Sequence, residues 1–141
     1  LSAIDLAWDI IARFTGEEMP KGFYDDWIQV AVDEALHFEM LEELLASLGA
    51  TYGDLPAHDG LWQAAEKTAD DLAARLVVVP MTLEARGLDT TPATMERLAR
   101  NGDTVTPPAL DVIYKDEITH VAAGVRWFKH LAQKRGWHAK T

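Results

Sequence analysis

Apolar residues recur every three to four positions along nearly the whole chain, and this spacing restricts its fold more than any other feature. Such a period places the apolar side chains on one face of an α-helix, whereas a half-buried strand would show strict alternation. A chain of 141 residues, 48% of them hydrophobic, is long enough for one domain with its own core. We therefore expect a single all-α domain over residues 1–141.

Glycine, proline and capping residues divide this pattern into helices. Long helices are predicted over about residues 1–14, 24–48, 61 to 86 or 88, and 106–135. Pro80 should kink the third of them. The pair Thr91 and Pro92 is typical of a helix start and predicts a further short helix. The expected architecture is a four-helix bundle with a short extra helix between the third and fourth long helices.

The charge and composition exclude several classes of protein. The net charge of −10 argues against non-specific binding to nucleic acids or anionic membranes. The chain has no cysteine, so it has no disulfide framework and no thiolate metal site. No apolar run approaches the roughly 20 residues that a membrane span needs, and the first residues do not form a signal peptide. We expect a cytoplasmic protein without a membrane partner.

Two Glu-x-x-His segments carry the chemistry of the chain: Glu34 with His37 in the second long helix, and Glu117 with His120 in the fourth. Residues three apart share a helix face, so each pair directs a carboxylate and an imidazole toward one point. Both pairs lie on apolar stripes, and a buried carboxylate must be protonated, paired or bound to a metal. The alternative is that both pairs face solvent on helices rotated from this assignment.

Bundles that bind two metal ions through such pairs add one glutamate from each of the other two helices. In the third helix Glu84 shares a stripe with Val77 and Met81, whereas Glu66 lies near the predicted helix start, where the dipole favours a solvated carboxylate. We select Glu84, and a salt bridge with Arg86 is its alternative role. The predicted metal ligands are Glu34, His37, Glu84, Glu117 and His120.

The first helix contains no glutamate before Glu17. In an antiparallel pair of helices, the height of Glu34 corresponds to about positions 0 to 4 of the first helix. We therefore expect an N-terminally truncated fragment, whose first-helix ligand is either Asp5 or a residue preceding Leu1. With only three glutamates, two divalent cations keep one net positive charge, which predicts weakened metal binding.

Three segments carry a family resemblance: Asp33-Glu34-Ala35-Leu36-His37-Phe38, Leu83-Glu84-Ala85-Arg86 and Asp116-Glu117-Ile118-Thr119-His120-Val121. They resemble the ferritin-like di-iron carboxylate superfamily. Three others look like an uncharacterised bacterial ferritin-like family: Phe23-Tyr24-Asp25-Asp26-Trp27, Tyr52-Gly53-Asp54-Leu55-Pro56-Ala57-His58-Asp59-Gly60 and Arg126-Trp127-Phe128. A more distant similarity is to the di-iron hydroxylases that modify a hypermodified adenosine in tRNA. The resemblance implies a ferritin-like bundle and a dinuclear metal site, and it assigns no reaction.

These observations predict a di-iron oxidoreductase that uses O₂ and an unknown small-molecule substrate, with manganese or zinc as alternative metals. Two other functions fit the same residues. The protein could oxidise or handle Fe(II) without an organic substrate, or be a non-catalytic bundle stabilised by metal. A tRNA substrate is least favoured because no basic stripe accompanies the motif. The sequence leaves the oligomeric state open.

Overall fold

The computed structural model describes residues 1–137 and contains only helices and turns over that range. Its elements are α1 (Ser2–Arg13), a 3₁₀ turn (Thr15–Glu17), α2 (Lys21–Ser47), α3 (Gly60–Lys67), α4 (Leu72–Val78), a π-helical segment (Val79–Glu84), α5 (Ala85–Arg100) and α6 (Thr106–Lys134). The predicted all-α class is confirmed. Within residues 1–137, no helix is both long enough and apolar enough to cross a membrane.

The helices form a bundle in which α6 packs against α2, α4, the π-helical segment and α5. A short connection joins α1 to α2, which pack along each other, and α6 packs against α2 and against the continuous helix formed by α4, the π-helical segment and α5. The short α3 lies against α1 and the π-helical segment. This arrangement brings the middle of α2, the middle of α6 and the π-helical segment together in the interior.

The core is apolar and close-packed at the end of the bundle away from α5. Leu72, Leu76 and Leu131 are fully buried, and each such side chain stabilises the fold by roughly 1.5–3 kcal/mol. Phe23 of α2 packs edge-on against Trp127 of α6, with 5.7 Å between the ring centroids. This apolar cluster sets the distance between α2 and α6 about four turns from His37 and two turns from His120.

The ends of α2 and α6 follow the sequence signals closely. Gly49 has φ +75° just beyond α2. The amides of Gly49 and Ala50 close the helix by donating to Ala46 O and Leu45 O, both at 3.0 Å. This is the Schellman pattern, which favours glycine because other residues are strained at positive φ. Thr106 begins α6, as its position before Pro107 predicts.

The third long helix differs from the prediction in both of its ends. It begins at Leu72, because the Asp71 side chain caps the new helix by accepting from Ala73 N at 3.0 Å. It then continues to Arg100 through Pro92, which was expected to start a separate helix. No residue of α5 is buried, so water can satisfy the carbonyl that Pro92 leaves without a donor. The short extra helix is therefore α3, and it precedes the third long helix instead of following it.

Candidate metal centre

The two Glu-x-x-His segments face each other across the packed pair of α2 and α6. His37 and His120 are 3% and 1% exposed, and their ring centroids lie 5.9 Å apart. Glu34 and Glu117 are only partly exposed, at 12% and 18% of their side-chain surface. The structure thus brings both predicted pairs together in the interior, and the alternative of two solvent-facing pairs is wrong.

Each histidine is held by an aspartate from the opposite helix. His37 Nε2 lies 3.0 Å from Asp116 Oδ2, and His120 Nε2 lies 3.1 Å from Asp33 Oδ2. An ionised carboxylate only accepts, so each Nε2 donates its proton and each Nδ1 is turned inward. The two contacts are related by an approximate twofold symmetry, because each aspartate directly precedes the glutamate of its own Glu-x-x-His pair.

Sequence reasoning missed these two aspartates as functional residues. The signal was present, since Asp-Glu-x-x-His occurs twice, at residues 33–37 and 116–120. A residue next to Glu34 lies about 100° around the helix from it, which points Asp33 toward the neighbouring helix and not into the site. Only the packing of α2 on α6 shows that this neighbour presents the ring of His120.

The inward Nδ1 atoms lie among the carboxylates. His120 Nδ1 is 3.3 Å from Glu34 Oε1 and 3.5 Å from Glu117 Oε2, and His37 Nδ1 is 3.6 Å from Glu34 Oε2. Glu34 therefore lies between both imidazoles. Glu34, His37 and Glu117 each offer one ligand atom, and these atoms all lie within 4.8 Å of one another.

Buried polar atoms without hydrogen-bond partners are concentrated at this site. Among residues 1–137 the buried side-chain atoms that lack a partner are Trp27 Nε1, His37 Nδ1, Glu84 Oε2, Glu117 Oε2 and His120 Nδ1. Four of the five belong to predicted metal ligands. The two Nδ1 atoms count as unpartnered because their contacts with the glutamates are too long or too poorly aligned for hydrogen bonds. An unpaired buried polar group costs about 1–3 kcal/mol, so these atoms favour a ligand that can bind to them.

The electrostatics of the cluster couple its carboxylates to its imidazoles. Burial raises the pKa of Glu34, but contacts with His120 and His37 outweigh it and bring the pKa to about 2. Burial lowers the pKa of His120, but Glu117, Glu34 and Asp33 raise it to about 11. The pKa of His37 is raised by Glu34 and Asp116 against the same effect of burial. The carboxylates of the cluster thus favour the protonated form of both imidazoles, and the imidazoles favour the ionised form of Glu34.

Glu84 enters the same cluster from the π-helical segment. Burial raises its pKa to about 8, with further contributions from the negative charges of Glu117 and Glu34. The residue as a whole is partly exposed, yet its Oε2 atom is buried, so the atom that would bind a metal is the shielded one. Glu66, the other candidate of the third helix, is exposed on α3. Arg86, the alternative salt-bridge partner of Glu84, is exposed as well.

The π-helical segment explains how Glu84 reaches the interior. Pro80 has no N–H and its ring would clash with a carbonyl in a regular α-helix, so the backbone widens here and Thr82 Oγ1 donates to Val77 O at 2.7 Å. A wider turn rotates every later residue around the axis, which sets the direction of Glu84. The helix runs on to Arg100, so Glu84 lies near the middle of the third long helix and not near its end as predicted.

Gly124 allows this segment to pack directly against α6. A Cβ at Gly124 would lie 2.9 Å from both Cβ and Cγ of Pro80, closer than real Cβ contacts allow. Gly124 is one helical turn beyond His120 on the same face. The close approach of the two backbones therefore fixes the height and distance of Glu84 relative to the α6 ligands.

The first helix supplies no carboxylate to the cluster within the described residues. Asp5 is exposed, whereas the interior face of α1 carries Leu6, Ala7 and Ile10. The other acid of α1, Asp9, pairs with the buried Arg75 at 2.6 Å. The face that α1 turns to the interior is therefore apolar, and Asp5 does not lie on that face.

The fold and the site together define an all-α bundle with a buried carboxylate–histidine cluster between α2, α6 and a π-helical segment. The chain belongs to the family described as "Protein of unknown function (DUF455)", whose model matches residues 1–141. An uncharacterized protein of Haemophilus influenzae is 44% identical over 143 residues, which cover 98% of this chain and 50% of the relative. The chain thus spans about half the length of that protein. No solved structure matches this chain.

Proposed function

We propose that Glu34, His37, Glu84, Glu117 and His120 bind two metal ions, iron in the first instance, in a ferritin-like helical bundle. The observation that carries the proposal is the cluster of Glu34, His37 and Glu117, whose ligand atoms lie within 4.8 Å of one another. Four buried side-chain atoms of the proposed ligands that have no hydrogen-bond partner support it. Carboxylates and imidazoles in this ratio suit iron and manganese, and zinc is a weaker alternative. The repeated Glu-x-x-His pairs and the added glutamate match the ligand pattern of dinuclear carboxylate bundles.

The donor set also predicts an incomplete coordination sphere. Three glutamates carry three negative charges, so two divalent cations leave one positive charge when both imidazoles are neutral. The interior face of α1 offers only apolar side chains to the centre among the described residues. Water, hydroxide or a substrate atom would therefore bind on that side, where the metals are open to an external ligand.

The residues of the chain have distinct roles in this proposal. Asp33 and Asp116 keep the proton of each imidazole on Nε2, so that Nδ1 presents its lone pair to the metal. Glu84 has a pKa of about 8 without metal, so it gives up its proton as the cation arrives. The surrounding apolar helices exclude water and strengthen every charge interaction in the centre.

An iron pair bound here would supply the two electrons needed to activate dioxygen. We therefore propose an O₂-dependent oxidoreductase that acts on a small molecule of unknown identity. Oxidation of Fe(II) for its own sake, or a purely structural metal, are the alternatives. These functions differ in the number of irons oxidised per chain. An oxidase of organic substrates oxidises two irons per chain and then stops in the absence of reductant.

The test is anaerobic titration with Fe(II), followed by addition of O₂ and measurement of absorbance and oxygen uptake. We expect oxidation of two irons per chain. His37→Gln and His120→Gln should each abolish most of it, whereas His130→Gln, at a half-buried histidine packed against Trp127, should leave it unchanged. Turnover of many irons per chain would favour iron handling. Tight metal binding without oxygen uptake would leave only a structural role.

A further inference from the structure

The buried residues of α2 and α6 lie in only one half of the bundle. None of residues 38–64 and none of residues 81–119 is buried, and these ranges hold the second half of α2, all of α5 and the first half of α6. In α2 the last buried residue is His37, and in α6 the first is His120. Beyond the two histidines, the bundle therefore has apolar side chains that no core encloses.

One face of α2 shows this change directly. Leu41 lies about five turns after Phe23, at the same angle around the helix. Phe23 is 1% exposed, whereas Leu41 is 37% exposed, and Leu48, about two turns further on, is 73% exposed. Leu45 lies between the two leucines on the same face and is half-buried. We call Leu41, Leu45 and Leu48 the open face of α2.

The length of α1 explains why this face is open. α1 has 12 residues and α2 has 27, so the helices are roughly 18 and 40 Å long. A short connection places the end of α1 beside the start of α2, and Ala3, near the start of α1, lines the same small cavity as Val30 of α2. α1 therefore covers the first half of α2 and leaves the second half without a neighbour on this side.

The charges of α2 restrict what can cover the open face. The chain has no Lys or Arg between residues 22 and 66, and Glu39, Glu42 and Glu43 are exposed on the same part of α2. A second copy of this chain, with its own net charge of −10, would bring like charges together. A helix with an apolar stripe and basic flanks matches both the leucines and the glutamates.

The relative from Haemophilus influenzae shows that longer proteins carry this domain, because the match covers only 50% of its length. The position of the two chain ends favours the residues that precede the match as the source of a covering helix. The start of α1 lies beside the middle of α2, where the open face begins. The end of α6 lies at the far end of the bundle, where Arg135 pairs with Glu17 at 2.5 Å.

We propose that the open face of α2 is a docking surface for an amphipathic helix with basic flanks. In the longer proteins of this family, the helix is formed by residues that precede the region matched by this chain. It packs on Leu41, Leu45 and Leu48 and encloses the half of the bundle beyond the histidines. This docking requires no metal, so it is independent of the proposed function.

The first test is amide hydrogen exchange, measured by mass spectrometry on this chain and on the full-length Haemophilus influenzae relative. Within each protein, exchange in the segment aligned with residues 38–48 is compared with exchange in the segment aligned with residues 23–31, which removes differences in overall stability. We expect the first segment to be protected at least tenfold better, relative to the second, in the full-length protein. Equal ratios in the two proteins would overturn the proposal.

The second test identifies the helix. The probe is a fluorescent peptide of the roughly 20 residues that precede the matched region of the relative, added to this chain and followed by anisotropy. We expect one peptide to bind per chain, more weakly at high salt. The double variant Leu41→Gln with Leu48→Gln should weaken binding at least tenfold. Val32→Gln with Leu36→Gln, at two exposed positions elsewhere on α2, is the control and should have no effect.

Three outcomes of the second test would overturn the proposal. One is binding that the leucine variants do not change, and another is binding only by a peptide that follows the matched region. The third is a dimer of this chain, detected by sedimentation, that the variants of Leu41 and Leu48 dissociate, because a second copy would then be the occupant.

Discussion

Replacement of Glu84 by Gln separates the stability of the metal-free protein from its ability to bind metal. Glutamine matches the shape of a protonated glutamic acid, which is the form that Glu84 takes at pH 7 because burial and the neighbouring Glu117 and Glu34 raise its pKa to about 8. The unfolded chain ionises this group near its ordinary pKa of 4.5. Folding at pH 7 therefore takes up a proton, and the glutamine variant avoids that cost.

The magnitude follows from the two pKa values. A raised carboxyl pKa means that stability is greatest below 4.5 and falls by about 1.4 kcal/mol per pH unit between 4.5 and about 8. At pH 7 the cost is about 3 kcal/mol, as an upper value because the residue is partly exposed. We expect E84Q to be more stable than the parent by up to this amount without metal, with a difference that vanishes near pH 4.

The assay is urea unfolding at several pH values, with and without metal. Glu66→Gln, at an exposed glutamate of α3, is the matched control and should change stability by less than about 0.5 kcal/mol. Metal should stabilise the parent strongly and E84Q much less. The reasoning is refuted if E84Q is less stable than the parent at pH 7 without metal, or if metal stabilises both equally.

Three further predictions concern the same centre. Metal binding should release between two and three protons per chain at pH 7, because the pKa values of His120 and Glu84 are about 11 and 8 and that of His37 is raised. Calorimetry in two buffers of different ionisation enthalpy counts the released protons. Release of fewer than one proton would contradict the assignment of these residues as metal ligands. Asp33→Asn and Asp116→Asn should each weaken metal binding by about 10- to 100-fold, measured by competition with a chelator. A metal affinity equal to that of the parent would show that the aspartates do not orient the histidines. Gly124→Ala should lower the free energy of unfolding by about 1–3 kcal/mol through the contact with Pro80, and it should weaken metal binding as well. Its control is Gly87→Ala, where a Cβ meets open space, and this change should be neutral or stabilising in the same unfolding assay.

Spacing alone was sufficient for the parts of the site that lie within one helix. Glu34 with His37, and Glu117 with His120, share a face through the geometry of a single turn, so their convergence follows once each apolar stripe is turned inward. The choice of Glu84 over Glu66 also followed from its apolar neighbours. The all-α class required only the period of the apolar residues.

The features that sequence reasoning missed depend on two elements at once. The aspartates that hold the histidines act across α2 and α6, and no rule within one helix reveals them. Pro92 lies inside a helix, although proline usually occurs at a helix start. The packing of the long helix on α6 outweighs the local cost of one missing N–H donor. The π-helical segment at Pro80 depends on Gly124, which is 44 residues further along the chain.

The most direct test of the central claim is the amount of iron bound per chain after anaerobic loading and removal of excess metal. The account predicts close to two irons per chain, reduced to one or none when His37 or His120 is replaced by Gln and unchanged in the Glu66→Gln control. A parent chain that retains no iron, or one whose iron content is unaffected by loss of both histidines, would contradict it.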